Sequence, residues 1–525
     1  MAGAARVSRG ARLALLAGYA AATFLAFPHP LGGRVLDLGV ATAWLAPACL
    51  LVALRGMTPG AAARAAFAAG LAAHAAIFHW IYVVTVYYGH APPLVGVLAA
   101  VGLAVYPAAF SAAFGAGAAW LGRGALPNPF VSGALWTALD HAKSFALTGF
   151  PWAVLGYAQH RNPALMGLAP YTGVWGLSFA TALGGAALAE LALGRSRRAL
   201  AALAALGMLL AAGALDAARE PEDPGAQVRV ALLQGNIGQD VKWSPEWAQR
   251  TLAIYEDLTR RAASEGAELV VWPETAIPGS PDASPELTDR LAALARETRT
   301  TLVAGAVGLD WKPGEPGPRY FDSAFAIDGG RDVPERYDKT HLVPFGEYVP
   351  LRGLLGHVIQ AVARGASDSD VHPGGAPRAL AIPLPGPPHA LTAGVPICYE
   401  LLFPNLVRRF VDGGAEALLA ITNDAWYGRT GAPYQFLAIT ALRSAENRVW
   451  TARAANTGVS ALIDDRGRVR AQTRLFERDV LVGELPLRPP PAGGSFYARH
   501  GDVFAAACWV GLAVAALRRP RRERA

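Results

Sequence analysis

From Arg12 to Ala217 the chain is dominated by Ala, Leu, Gly and Val, broken at intervals by short loops that carry arginine. A helix crossing the roughly 30 Å hydrocarbon core of a bilayer needs about 20 such residues. Runs of that kind fall near 10–27, 34–54, 65–88, 93–120, 129–147, 163–193 and 198–216, with one more near 502–518. The first has the look of a signal peptide, but no clear small-residue cleavage site precedes a soluble domain and further runs follow at once. Residues 218–500 have an ordinary globular mixture, although the whole chain is 53% apolar and only 17% charged. The expected organisation is a seven-span transmembrane domain over 1–217 and a linker over 218–227. A soluble domain over 228–490, a returning span at 502–518 and a basic tail at 519–525 complete it.

The arginines set the orientation. Arg6, Arg9 and Arg12 precede the first run, Arg55 and Arg64 lie between the second and third, and Arg123 follows the fourth. Arg195, Arg197 and Arg198 follow the sixth, and the tail RRPRRERA follows the eighth. All of these fall on one side, which the positive-inside rule makes the cytoplasm. Both termini are then cytoplasmic and the soluble domain lies outside. Loops on that outer side, such as YYGHAPP and TGFPWAVLGYAQ, carry few positive charges.

Several function classes drop out. The net charge is +7, but the basic residues sit at span ends and form no stripe with interleaved aromatics, so nucleic acid is not an expected partner. Three cysteines give no disulfide framework, and Cys49 and Cys508 lie inside apolar runs as small hydrophobes. No metal-ligand spacing is present, and no cofactor is called for. Within the spans, Asp140, His141 and Lys143 stand close together in WTALDHAKSFALTGFPW. Two readings stand for Lys143: binding of a lipid head group, or snorkelling to water from a span end.

The soluble region alternates strand and helix signals. RVALLQGNI, AELVVWPET, TLVAGAVGL, HALTAGVPICYE and ALLAITND read as buried strands. Helices are expected near 244–264 and 285–298, over NLVRRFVDGGAE and over PYQFLAITALRSAENR. WTARAANTG, SALIDDRG and VLVGELPL close the unit as further strands. The pattern indicates an α/β fold with a mixed sheet or two sheets face to face. The stretches 312–318 and 364–378 read as exposed loops that can serve as lids.

Three residues carry the chemistry. Glu274, in VVWPETAIP, ends a buried strand, where desolvation is expected to raise its pKa towards that of a useful base. Cys398, in GVPICYELLFP, begins a strand-to-helix turn, where a helix N-terminus and a nearby cation are expected to depress the thiol pKa. Lys339, in RYDKTHLVPFGEYVP, is one of only four lysines among 47 basic residues. A chain whose default cation is arginine keeps lysine where a compact point charge is needed. Glu347 is a second buried-looking carboxylate, placed either to orient Lys339 or to share the proton work. A carboxylate, an amine and a thiol make a complete set for covalent acyl chemistry.

WPETAIP, RYDKTHLVPFGEYVP and PICYE, in that order, resemble the Glu-Lys-Cys constellation of the nitrilase superfamily. That resemblance implies an αββα sandwich. With the N-terminal spans, TGFPW, LLQGNIGQDVKW, TNDAWYG and the returning helix, the chain resembles the apolipoprotein N-acyltransferase family, the membrane-embedded branch. The resemblance implies Glu274 as general base, Cys398 as nucleophile and Lys339 as oxyanion stabiliser, supported by Glu347, Tyr399 and Glu400. It implies ping-pong N-acyl transfer from a membrane phospholipid, through a Cys398 thioester, to the N-terminal diacylglyceryl-cysteine of a lipoprotein. It places the enzyme in the bacterial inner membrane, with its catalytic domain on the periplasmic side. Trp243 and Trp152 would line the lipid-facing entrance, where indoles are favoured. Two positions depart from the expected pattern: Lys143 stands for arginine, and Asp322 stands for asparagine.

Two rival readings have their own signatures. A membrane-tethered amidase would use the same three residues with water as acceptor, but one span would suffice to anchor it. A non-catalytic scaffold would not need the three residues intact.

Overall fold

A computed structural model describes residues 7–219, 226–242, 244–314, 317–330, 334–350, 371–386, 390–487 and 494–518. Four helices of the N-terminal half are long and apolar enough to cross a membrane: Pro59–Ile77, Pro93–Gly122, Val174–Ala192 and Arg197–Ala218. Shorter apolar helices occupy Gly39–Leu54 and Val503–Leu517. Other expected runs fall on Arg9–Leu25 and Pro129–Ala142.

Two runs are less regular than their apolarity suggests. The run at 34–54 opens with a small hairpin, β1 (His29–Leu31) against β2 (Arg34–Leu36), before any helix begins. Its turn is Gly32-Gly33, at φ 57° and 77°, the left-handed pair that a two-residue hairpin turn demands. The run at 163–193 breaks into Pro163–Met166, Ala169–Thr172 and Val174–Ala192.

The C-terminal half holds two six-stranded mixed sheets. One runs β14 (Asp479–Pro486), β3 (Gln227–Gln234), β4 (Leu269–Val271), β5 (Thr301–Asp310), β6 (Arg319–Ile327), β7 (Glu335–Asp338). The other runs β13 (Val469–Gln472), β12 (Ala461–Ile463), β11 (Trp450–Ala455), β10 (Ala417–Thr422), β9 (Ala390–Gly394), β8 (Leu380–Pro383). In each sheet three neighbouring strands are parallel, β3–β4–β5 and β9–β10–β11, and the outer pairings are antiparallel. Helices Pro245–Ser264 and Pro285–Thr298 bury an apolar stripe against the first sheet. Pro404–Asp412 and Ala432–Asn447 cover the second. The layering is the αββα sandwich that the sequence resemblance implied.

Helix Ala432–Asn447 is buried on every side, because its outer face meets the membrane half instead of solvent. Its Gln435 Oε1 accepts from Trp152 Nε1 at 2.8 Å. Its Glu446 Oε1 accepts from the Val174 amide at 2.7 Å, capping the helix Val174–Ala192 from the other half of the molecule. Arg443 Nε lies 3.1 Å from Glu446, both side chains fully buried. One hydrophobic core therefore runs continuously through both halves.

Candidate active site

The site lies where strands stop. Glu274 follows β4 by three residues, Lys339 directly follows β7, and Cys398 follows β9 at the head of a 3-10 turn, Cys398–Leu402. Glu274 and Cys398 lie beyond strands with parallel neighbours, where α/β folds hold reactive groups, and Lys339 reaches the same point from the antiparallel edge strand β7. Thr275 and Cys398 both adopt φ 47°, a left-handed conformation that costs a non-glycine residue about 1–3 kcal/mol and persists only where packing enforces it.

Lys339 Nζ is the hub. It lies 2.5 Å from Glu347 Oε1, 3.1 Å from Asp322 Oδ2 and 3.3 Å from Glu274 Oε1, and the lysine is entirely buried. Glu274 Oε2 accepts from the Asn423 amide at 2.7 Å, and Glu347 Oε2 accepts from the Val343 amide at 2.9 Å. The Cys398 thiol is among the groups that pull the Glu274 carboxyl down. Glu274, Asp322 and Glu347 have the mutual spacing to hold a metal ion, but the Lys339 ammonium already lies against all three.

Electrostatics correct two expectations. Burial works to raise the Glu274 carboxyl, but Lys339, Asp322, Lys242 and Cys398 outweigh it and leave it below the ordinary value. Desolvation alone does not govern a carboxylate beside two ammonium groups. The Cys398 thiol is pushed up, first by burial and then by the Glu274 charge, against the opposing pull of Lys339 and Thr422. The turn it heads is a single 3-10 turn, and an adjacent carboxylate outweighs the cation. At rest the pair is thiol and carboxylate, so attack requires proton transfer to Glu274. Lys339 is held well above its usual range despite burial, because Glu347, Glu274 and Asp322 surround it. It stays charged.

Glu400 works one layer out. Its Oε1 accepts from Tyr337 Oη at 2.7 Å, the Thr340 amide at 2.7 Å and Thr340 Oγ1 at 2.8 Å. Its Oε2 accepts from the Ile397 amide at 2.8 Å. One buried carboxylate thus clamps the Lys339 strand to the Cys398 elbow. Tyr399 Oη donates to Gly149 O at 3.0 Å, tying that elbow to the membrane half.

The expected entrance residues are placed differently. Trp152 is 1% exposed, its ring 5.0 Å from Trp80 and stacked on Phe436, so it packs inside the junction between the halves. Lys143 neither snorkels nor faces a free surface: it is buried and pairs with Asp140 at 2.8 Å. Asp140 in turn accepts from Ser178 Oγ and the Leu155 amide, which makes the group a structural network within the bundle. Trp243 lies outside the described residues, as do parts of both expected lid loops, 315–316 and 364–370. A cleft of about 530 Å³ between helix Ser196–Ala218 and the sandwich, lined in part by Tyr434, Leu437, Arg448 and Arg466, contains none of the site residues.

Sequence reasoning missed three contributors. Lys242 Nζ donates to Glu274 O at 3.1 Å and to Thr275 Oγ1 at 2.5 Å. Burial brings it down to about 8, Glu274 opposing. The scarcity of lysine that singled out Lys339 applies equally to Lys242 and was the available signal. Asn423, in TNDAWYG, orients Glu274 through its backbone and is itself fixed by Gln239 and Asn456. Thr422, one residue earlier, pulls the Cys398 thiol pKa down.

Residues 229–488 match the carbon-nitrogen hydrolase family model, and residues 19–187 match the N-terminal domain of apolipoprotein N-acyltransferase. A protein of Geobacter metallireducens named apolipoprotein N-acyltransferase is 41% identical over 97% of this chain and 95% of its own. Proteins of the same name from Azotobacter vinelandii and Methylococcus capsulatus are 36% and 33% identical, over 92% and 94% of this chain and 92% and 95% of theirs. The similarity spans both halves and the junction between them, and the chain belongs to the apolipoprotein N-acyltransferase family.

Proposed function

We propose that this protein transfers an acyl chain from a membrane phospholipid to the free α-amine of a lipoprotein's N-terminal diacylglyceryl-cysteine, through a thioester on Cys398. In the first half-reaction Glu274 takes the thiol proton and Sγ attacks the ester carbonyl carbon. The oxyanion that forms is stabilised by Lys339. Its collapse breaks the C–O bond, and the departing lysophospholipid alkoxide takes the proton back from Glu274. In the second, the α-amine attacks the thioester, Glu274 accepts a proton from the nitrogen, and Cys398 leaves as the thiolate and is reprotonated. Glu347 keeps Lys339 in place and Glu400 holds the two loops together.

The observation that carries this reading is the seating of Cys398 against the membrane half, through Tyr399 Oη on Gly149 O. Beside that contact, Phe145, Leu147 and Phe345 are 58%, 92% and 59% exposed, which favours a bilayer over water around them. The arginine distribution supports a site on the non-cytoplasmic face of the membrane, where a phospholipid donor is within reach.

Purified protein incubated with acyl-labelled phospholipid tests the reading. Label should appear on Cys398, be absent in Cys398→Ala, and discharge onto a diacylated lipopeptide amine. Discharge equally fast without the lipopeptide would make the protein a hydrolase, and no adduct at all would end the thioester mechanism.

A further inference from the structure

The three carboxylates around Lys339 are not equivalent. Glu274 and Glu347 each place one oxygen on the ammonium and receive a backbone amide on the other. Asp322 also places one oxygen there, but its Oδ1 is buried and meets no donor among the described residues. All three present oxygens within 4.8 Å of one another. The cations facing them are Lys339 and Lys242, and Lys242 donates to Glu274 O and Thr275 Oγ1. An ionised Asp322 would add a third negative charge beside Glu274 and leave a buried anionic oxygen bare. A neutral Asp322 removes that charge and supplies an O–H for which Glu274, with an oxygen within 4.8 Å, is the nearby acceptor.

We propose that Asp322 carries a proton in the resting site and donates it in a hydrogen bond to Glu274, as the positioning residue of the general base. This deepens the function proposed above and rests on Glu274 being that base. The titratable groups facing Asp322 are Glu274 beyond β4, Lys339 beyond β7 and Glu347 in the turn after Val343. Lys242, ahead of helix Pro245–Ser264, and Cys398 at the elbow complete the set. Burial, then Glu274 and Glu347, push the Asp322 carboxyl well above the ordinary range, with Lys339 opposing. Neutral Asp322 and ionised Glu274, Glu347, Lys339 and Lys242 give the cluster zero net charge around a neutral thiol. When pH rises far enough to ionise Asp322, Glu274 loses its donor and gains a repelling neighbour, and transfer slows.

Asp322→Asn keeps a donor of the same size that cannot ionise, whereas Asp322→Ala keeps neither. Asp322→Asn should retain at least about a tenth of the wild-type kcat, while Asp322→Ala should lose about a hundredfold. The fall in kcat at alkaline pH should move to higher pH in Asp322→Asn. Two readouts need no lipid. The infrared difference between wild type and Asp322→Asn should show the carbonyl band of one protonated buried carboxyl, the Glu446 contribution being common to both and cancelling. The alkaline rise in Cys398 alkylation by iodoacetamide should come at lower pH in Asp322→Asn, because no third negative charge then opposes the thiolate. Absence of that difference band overturns the proposal. So does an Asp322→Asn protein that melts normally but is as inactive as Asp322→Ala. Failure of the acyl-transfer reading would instead abolish the lipid adduct and leave the infrared band in place.

Discussion

Lys339 shows how much a single side chain depends on shape as well as charge. Three carboxylate oxygens approach its Nζ within 3.3 Å in a fully buried pocket. A planar guanidinium cannot present one point charge to three converging acceptors. Lys339→Arg should lower the rate of thioester formation by about 10²–10³-fold, read in single-turnover labelling. Cys398 gives a second expectation at this scale. Because burial and Glu274 hold its thiol up, alkylation near neutral pH should be slower than for a free thiol and should rise with pH. Fast alkylation that is flat across neutrality would mean a preformed thiolate and contradict the assignment of Glu274 as base. The identities of Glu274, Lys339 and Cys398 were legible in the sequence because each stands in a local context that suits it. The signs of two pKa shifts were not, since each is the sum of charges brought from other strands.

At the scale of elements, strands and helices were legible where one physical cause dominated. Helix Pro285–Thr298 fills the expected interval because Ser284 caps it and its apolar residues repeat with helical period. β6 was missed because Asp322 and Ser323 interrupt its apolar run, and Asp322 is polar for the sake of the site. β13 was missed because it is a short, largely exposed edge strand with no buried face to pattern it. β5 shows how an element serves the site without touching substrate. A Cβ on Gly305 would sit 2.5 Å from the Thr275 amide and 2.6 Å from Glu274 Cα, both backbone atoms. Gly305→Ala should therefore displace Glu274, cutting kcat by about 10-fold or more while the thermal melting temperature falls only modestly. Unchanged kcat in a folded Gly305→Ala protein would show that Glu274 tolerates the shift.

At the scale of the molecule, the junction between the halves carries the consequences. Burial pushes the Glu446 carboxyl up to about 7, Arg443 and the Val174 amide opposing. The folded protein then binds that proton more tightly than the unfolded chain, in which the carboxyl titrates in its ordinary range. The stability it contributes is therefore complete at or below the ordinary carboxylate range. It is lost as pH rises to about 7 and is level beyond. Thermal unfolding in detergent should show this slope in wild type, and Glu446→Gln should flatten it; an unaltered slope would assign the titration elsewhere. The sequence alone determined the division into a membrane half and an α/β half, and marked Glu274, Lys339 and Cys398 as candidates and one loop side as the arginine-rich one. Hydropathy, strand and helix period, and arginine placement are local quantities, and these follow from them. Only the tertiary structure decided that Trp152 and Lys143 are buried, that Lys242 joins the site, that one Asp322 oxygen is left without a donor among the described residues, and that Glu446 caps a helix of the other half. Those depend on which side chains from distant segments share one low-dielectric space, and no local pattern records that.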